Sequence, residues 1–193
     1  STHGLLRIHN GINPFEFQWS LGEGEYFDSP ESVMTFSDEG LNGMSQNMHA
    51  FVKENIVRGY WKDKDRPILV NNWEATTFSF NEKKILEIAA ATKELGAEMF
   101  VLDDGWFGKR NNDKAGLGDW YVNMKKLPSG IKGLSEKVNA MGLKFGLWVE
   151  PEMVNPDSDL YRAHPDWAVT TDVYEPSQGR NQLILDLTRD EVK

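Results

Sequence analysis

Met99-Phe100-Val101-Leu102-Asp103-Asp104-Gly105-Trp106-Phe107 joins a short apolar run to two adjacent carboxylates, a glycine and a tryptophan. The run has the length and residue types of a buried strand. Carboxylates at its end can accept charge-assisted hydrogen bonds from sugar hydroxyls, and an indole offers a flat apolar wall to the C–H face of a sugar ring. The theme recurs at Leu143-Lys144-Phe145-Gly146-Leu147-Trp148-Val149-Glu150-Pro151-Glu152. Two strands ending in acids and aromatics point to one concave site.

Outward from these strands the chain alternates strand and helix. Ile68-Leu69-Val70 reads as the first strand, Met99 to Asp103 as the second and Leu143 to Val149 as the third. Between the first two, Ser79 and Glu82 form a capping-box pattern ahead of inward-facing Ile85, Leu86, Ala89 and Leu95, with a stop at Gly96. Between the second and third, Ile131, Leu134, Val138 and Met141 share a helical face that ends at Gly142. Asn155-Pro156-Asp157 predicts a further short helix with proline in its first turn, ended before Pro165. Leu183 to Leu187 predicts a last short strand. Such units imply parallel β/α structure. Three are too few for a closed barrel of eight, so either an open doubly wound sheet or the first part of a TIM barrel fits. In both, ligands sit at the carboxyl ends of the strands: Asn71-Asn72-Trp73, Asp103-Asp104 and Trp148 to Glu152. No Gly-x-Gly-x-x-Gly follows the first strand, which argues against a dinucleotide site.

Upstream the pattern differs. Phe15, Phe17, Trp19 and Leu21 alternate with Glu16, Gln18 and Ser20, predicting a half-buried strand, and Val33 to Phe36 predicts another. Leu41, Met44, Met48, Phe51, Val52 and Ile56 then share one helical face, closed by Gly59, as a core-packing stripe would. The charged connector Lys62 to Pro67 is the natural boundary, giving 1–66 and 67–193 as two regions.

Bulk composition excludes several classes. Thirty acids against twenty-one bases argue against a nucleic-acid or anionic-membrane partner. There is no cysteine, so disulfides, thiolate metal sites and cysteine nucleophiles are excluded, and a reducing cytoplasm is the expected setting. No apolar run is long enough to span a bilayer as a helix. The four histidines show no zinc-ligand spacing. The chain begins at Ser1, and Thr188-Arg189-Asp190-Glu191 reads as a capping box opening a helix at the very end of the sequence, so we expect a piece of a longer protein.

The chemistry of the strand ends narrows the possibilities. Glycoside hydrolysis needs two carboxyl groups flanking the anomeric carbon, roughly 5–9.5 Å apart. Asp103 and Asp104 match poorly, because consecutive strand residues point to opposite faces. They suit a pair of acceptors for neighbouring hydroxyls; the plainer alternative is a turn or cap role, since Asp-Gly favours turns. Glu150 and Glu152 share a face about 6.6 Å apart along an extended chain. They would approach a sugar from one side only, and bonding to Trp148 or loop backbone is the simpler role. Trp73 and Trp148 suit sugar stacking, against core packing, and Trp106 and Trp120 could line the pocket.

Several long motifs together resemble the bacterial α-galactosidases of glycoside hydrolase family 36. They are Asn71-Asn72-Trp73-Glu74-Ala75, Val101 to Gly108, Gly146 to Met153, and Gly179-Arg180-Asn181-Gln182 followed by Leu185-Asp186-Leu187. Gly11 to Phe15 and Gly40 to Ser45 resemble the end of that family's amino-terminal β-sandwich. The resemblance implies a retaining hydrolase acting on terminal α-1,6-linked galactose, as in melibiose, raffinose and stachyose. It implies a (β/α)8 barrel, of which 67–193 would be the first three β/α units, preceded by the end of a β-sandwich in 1–66. Carried over by residue, Asp103 and Asp104 would bind galactose hydroxyls, Trp148 would line the sugar site, Trp73 would sit at its rim and Arg180 would contribute to the pocket. No cofactor or metal is implied, and a homo-oligomer is expected of the complete protein. The family's nucleophile lies in a Lys-Trp-Asp motif, which this sequence lacks; neither it nor the acid/base is expected within the chain. Alternatives are a non-catalytic carbohydrate-binding module, a metal-dependent sugar isomerase or lyase using Asp103, Glu150 and Glu152, and an α-N-acetylgalactosaminidase on the same scaffold.

Overall fold

A computed structural model describes residues 4, 8–15, 17–171, 173, 176 and 178–193. Glu16 of the alternating stretch and His3 lie outside them. The chain forms two compact units, Ser1–Asp65 and Arg66–Lys193.

In the first unit the helix falls where its periodicity predicts. Helix α1 (Gly40–Phe51) continues into a single π-helical turn, Val52–Ile56, closed by the Val57 N–H on the Val52 carbonyl. Gly59 then adopts a positive φ of 79°. The expected strands at Phe15–Leu21 and Val33–Phe36 do not form among the described residues. A strand is stable only with a neighbour to take its backbone groups, and no described segment pairs with either stretch. The aromatic residues associate locally instead: the Trp19 and Phe27 rings lie 4.6 Å apart. The apolar stripe of α1 is not core as expected; Leu41 is 80% exposed, and Met44, Val52 and Ile56 are exposed with it.

The second unit is built on a parallel sheet in the order β1 (Leu69–Asn71), β2 (Met99–Leu102), β3 (Lys144–Leu147). Between β1 and β2 lie a single turn, α2 (Trp73–Thr76), and the long helix α3 (Glu82–Glu94); α4 (Gly130–Ala140) precedes β3. The central strand alternates strictly, with Phe100 and Leu102 fully buried and Met99 and Val101 half-buried. Ile85 and Ala89 of α3, Leu134 and Val138 of α4, and Phe100 and Leu102 belong to one cluster, so both crossover helices cover the same sheet face. A smaller antiparallel pair, β4 (Met153–Val154) with β5 (Leu183–Ile184), and α5 (Asp159–Ala163) complete the unit.

Capping differs from the predicted pattern in three places. Asn81, not Ser79, caps α3: its Oδ1 accepts from the Lys84 N–H at 3.0 Å, satisfying one of the helix's orphan donors. Ser158, not Asn155-Pro156, caps α5 through the Tyr161 N–H at 3.0 Å. The Asp119 carboxylate, from a distant loop, accepts from Asp159 and Leu160 N–H at 3.0 Å each. Thr188 opens no helix, because Asp186 Oδ1 takes both its N–H, at 3.0 Å, and its hydroxyl, at 2.6 Å, into a turn.

Freed from the capping box, Glu82 performs another task. It is buried at the head of α3, and its carboxylate accepts from Ser129 N–H at 2.9 Å, Ser129 Oγ at 2.7 Å and the Lys137 ammonium. Burial alone would raise its pKa, but these donors outweigh burial and hold it below the ordinary 4.5. Its contribution to stability is therefore complete above pH 4.5 and is lost as pH falls through the depressed value. Glu82→Ala should cost about 1–3 kcal/mol at pH 7. Urea unfolding at pH 7 and pH 3 checks this: the gap from wild type should narrow in acid.

Candidate functional site

The parallel register brings the ends of the three strands to one level. Asn71 lies opposite Val101, and Leu102 opposite Leu147. Two residues beyond the first pair come Trp73 and Asp103; one residue beyond the second come Asp103 and Trp148. Side-chain bonds tie this edge together. Asp103 donates its N–H to Asn72 Oδ1 at 2.8 Å, and its Oδ2 accepts from the Asn71 amide. Asn71 Oδ1 accepts from the Trp73 N–H at 2.7 Å, so one asparagine links the indole-bearing turn to the carboxylate. Asp103 Oδ1 accepts from the Asp104 N–H at 2.7 Å, and the residue is half-buried.

The two aspartates play different parts. The chain bends just after them, at Gly105, whose φ is 97° and where a Cβ would fall 3.1 Å from the Phe78 ring. Asp104 continues the buried face of Phe100 and Leu102 and lies, 4% exposed, against the fully buried Arg110. The guanidinium Nε donates to both carboxylate oxygens, at 2.9 and 3.0 Å, and Nη2 to Oδ2 at 2.8 Å. A carboxylate has about four acceptor positions, so Arg110 occupies most of those of Asp104. Nη1 continues to Asn155 Oδ1 at 2.8 Å and to the Ala115 carbonyl at 3.3 Å. Beneath, the Lys126 ammonium donates to the carbonyls of Phe78, Gly105 and Arg110 at 2.8–3.1 Å. Burial pushes its pKa down, opposed by the charge of Asp104.

Trp148 extends the sheet's hydrogen bonding, with its N–H on the Leu102 carbonyl at 2.9 Å, and its own carbonyl accepts from Trp106 Nε1 at 3.0 Å. Its half-buried ring lies parallel to Phe107 at 6.5 Å and tilted against Trp120 at 6.5 Å. Trp73 packs edge-on against Phe78 at 5.0 Å. Trp106 is buried and acts as packing. Arg180 is exposed on a tight turn, Gly179 to Gln182, where the Gln182 N–H meets the Gly179 carbonyl at 2.9 Å. Both central residues have positive φ, 53° at Arg180 and 62° at Asn181. That turn is tied to the others at a distance: Asn155 Nδ2 donates to the Asn181 carbonyl at 2.8 Å.

Glu150 is half-buried and accepts from Gln182 Nε2 at 3.4 Å, while Glu152 is exposed. Among the described residues no three His, Asp or Glu side chains are grouped as a metal site would require, so Asp103, Glu150 and Glu152 do not form the ligand set of the isomerase alternative. No helix among them is long and apolar enough to cross a membrane. Sequence reading missed Arg110, Lys126 and the structural part played by Asn155. Arg110 and Lys126 lie in an aperiodic loop, and Asn155 carried the signature of a helix start. Asn71 at a strand end was visible as position but not as bonding.

A parallel β/α unit whose strand ends bring Trp73, Asp103 and Trp148 to one edge defines an α/β protein with a candidate site at the carboxyl ends of its strands. The family follows from comparison: residues 26–193 match the model of the melibiase family, and the chain belongs to it. It is 57% identical to α-galactosidase AgaA of Geobacillus stearothermophilus over 98% of this chain and 26% of that protein. It is 50% identical to α-galactosidase Mel36A of Lactobacillus acidophilus, again over 98% of this chain and 26% of the relative. The chain thus spans about a quarter of the length of the curated relatives it matches. A crystal structure of an AgaA variant in complex with stachyose superposes with a TM-score of 0.88 at 58% identity, covering 94% of this chain and 25% of that one. A second variant, crystallised with raffinose, gives the same values.

Proposed function

We propose that this chain is the sugar-gripping part of a retaining α-galactosidase acting on terminal α-1,6-linked galactose in melibiose- and raffinose-type oligosaccharides. The observation that carries the reading is the level edge formed by Trp73, Asp103 and Trp148 in a chain of the melibiase family. Stachyose and raffinose in the related crystal structures support the substrate class.

On this reading Asp103 presents the remaining acceptor positions of its half-buried carboxylate to two galactose hydroxyls. Asp104, largely engaged by Arg110, offers its remaining acceptor position and fixes the electrostatics beneath the ring. Trp148 lines the C–H face, Trp73 forms the rim and Arg180 contributes a cation to the pocket. These groups bind and orient; none is placed as nucleophile or acid/base. Sequential strand order with both helices on one face supports the first three β/α units of a (β/α)8 barrel for 67–193. The division at Asp65 and Arg66 supports reading 1–66 as the end of a β-sandwich with its connecting helix, whose strands would need partners beyond those described. A cysteine-free composition supports a cytoplasmic setting, and the family resemblance a homo-oligomeric complete protein.

The test compares this 193-residue polypeptide with the complete protein, using a nitrophenyl α-galactoside. The complete protein should turn over. The polypeptide should release no nitrophenol above background, because its sequence lacks the Lys-Trp-Asp motif that the family resemblance assigns to the nucleophile. Turnover by the polypeptide, or a complete protein that binds galactose without hydrolysis, would overturn the proposal.

A further inference from the structure

We propose that Arg110 and Asn155 are positioning residues of the sugar site, locking the Asp104 carboxylate and the Arg180 turn into one frame. The proposal deepens the α-galactosidase reading and rests on it. Arg110 and Asn155 are both completely buried, yet neither belongs to the hydrophobic core. What they do is connect. From Asp104 the path runs through the Arg110 guanidinium to Asn155 Oδ1 at 2.8 Å, then from Asn155 Nδ2 to the Asn181 carbonyl at 2.8 Å. The same Oδ1 accepts from the Leu117 N–H at 2.9 Å, and Nδ2 also donates to the Asp113 carbonyl at 3.2 Å, so the amide cannot rotate without breaking several bonds.

The far end of this path needs holding. Arg180 and Asn181 both occupy the left-handed region, which an arginine adopts reluctantly. A strained turn on an exposed loop relaxes unless its surroundings fix it. Asn155 grips the turn's backbone from below, and Gln182 anchors its exit to Glu150 at 3.4 Å. Arg180 lies 77 residues from Asp103 in sequence, and this buried relay is what sets its place relative to the carboxylates. A guanidinium suits the task because one planar fork can serve Asp104 on one edge and Asn155 on the other.

The test is a double-mutant cycle in the complete enzyme, measuring kcat and KM for a nitrophenyl α-galactoside. Asn155→Asp is the probe: it keeps the acceptor for Arg110 and Leu117 but replaces the donor to the Asn181 and Asp113 carbonyls with a repelling oxygen. Asn155→Asp and Arg180→Ala should each raise KM about tenfold with kcat changed less than about twofold, and the double variant should be no worse than Arg180→Ala alone. Should Asn155→Asp fail to fold, Arg110→Lys enters the same cycle, since a single ammonium cannot span both partners. Multiplying effects would reduce the relay to a stability element and overturn the proposal, while leaving the α-galactosidase reading intact. If Arg180→Ala left KM unchanged, Arg180 would leave the sugar site, and this inference would fall together with that part of the functional reading.

Discussion

Asp103→Asn in the complete enzyme should lower kcat/KM by about 10- to 150-fold, corresponding to roughly 1.5–3 kcal/mol for hydrogen bonds to a charged acceptor. The substitution is isosteric, so the loss reports charge and acceptor capacity rather than a cavity. The new amide also fits its surroundings badly. Asp103 Oδ1 accepts from the Asp104 N–H and Oδ2 from Asn71 Nδ2, so an NH2 in either position meets a donor. Asn71 cannot flip to help, because its Oδ1 is committed to the Trp73 N–H at 2.7 Å. One consequence is a loosened Trp73 turn, visible as a change in tryptophan fluorescence. Because the proposed contacts hold the galactose both before and during reaction, KM should rise more than kcat falls. Steady-state kinetics with galactose as competitive inhibitor separates the two. Unchanged inhibition and unchanged turnover would remove Asp103 from the sugar site.

Period and punctuation made the second unit legible. β2 alternates as a strand packed on one face does, and α3 and α4 carry their buried residues at helical spacing with Gly96 and Gly142 at positive φ just beyond. Capping was less legible, since Ser79, Asn155 and Thr188 all stand where a cap is plausible by type. The choice fell instead to Asn81 and Ser158, and at the third position to a turn, according to backbone geometry and to distant groups such as Asp119 and Ser129. Phe15–Leu21 has a strand's alternation, yet alternation specifies a face and not a partner, and without a partner no ladder forms. At the site, the doublet after β2 was visible as a pair of carboxylates. Its division of labour was not, because it depends on Asp104 meeting an arginine six residues away in a loop without periodicity. Asn155 lies 45 residues from Arg110, and no local pattern marks such a bond.

Arg110→Met should destabilise the protein by about 3–5 kcal/mol, since it removes one partner of a buried ion pair and leaves the other charged. Asp104 is 4% exposed and Arg110 fully buried, so water cannot replace the lost donors without opening the loop. Against a typical total stability of about 5–15 kcal/mol, that loss places the variant near unfolding at physiological temperature. The double variant Arg110→Met/Asp104→Leu should recover most of it, because two apolar side chains no longer carry a desolvated charge. Urea unfolding of wild type, both singles and the double gives the coupling directly, and a single variant as stable as wild type would show that the pair is not formed. The same comparison bears on function. If an apolar pair sustains the fold nearly as well as the ion pair, stability does not explain why this chain buries an arginine against an aspartate. The reason then lies with the carboxylate's orientation toward the strand ends, and the double variant should fold while the complete enzyme carrying it binds galactose poorly.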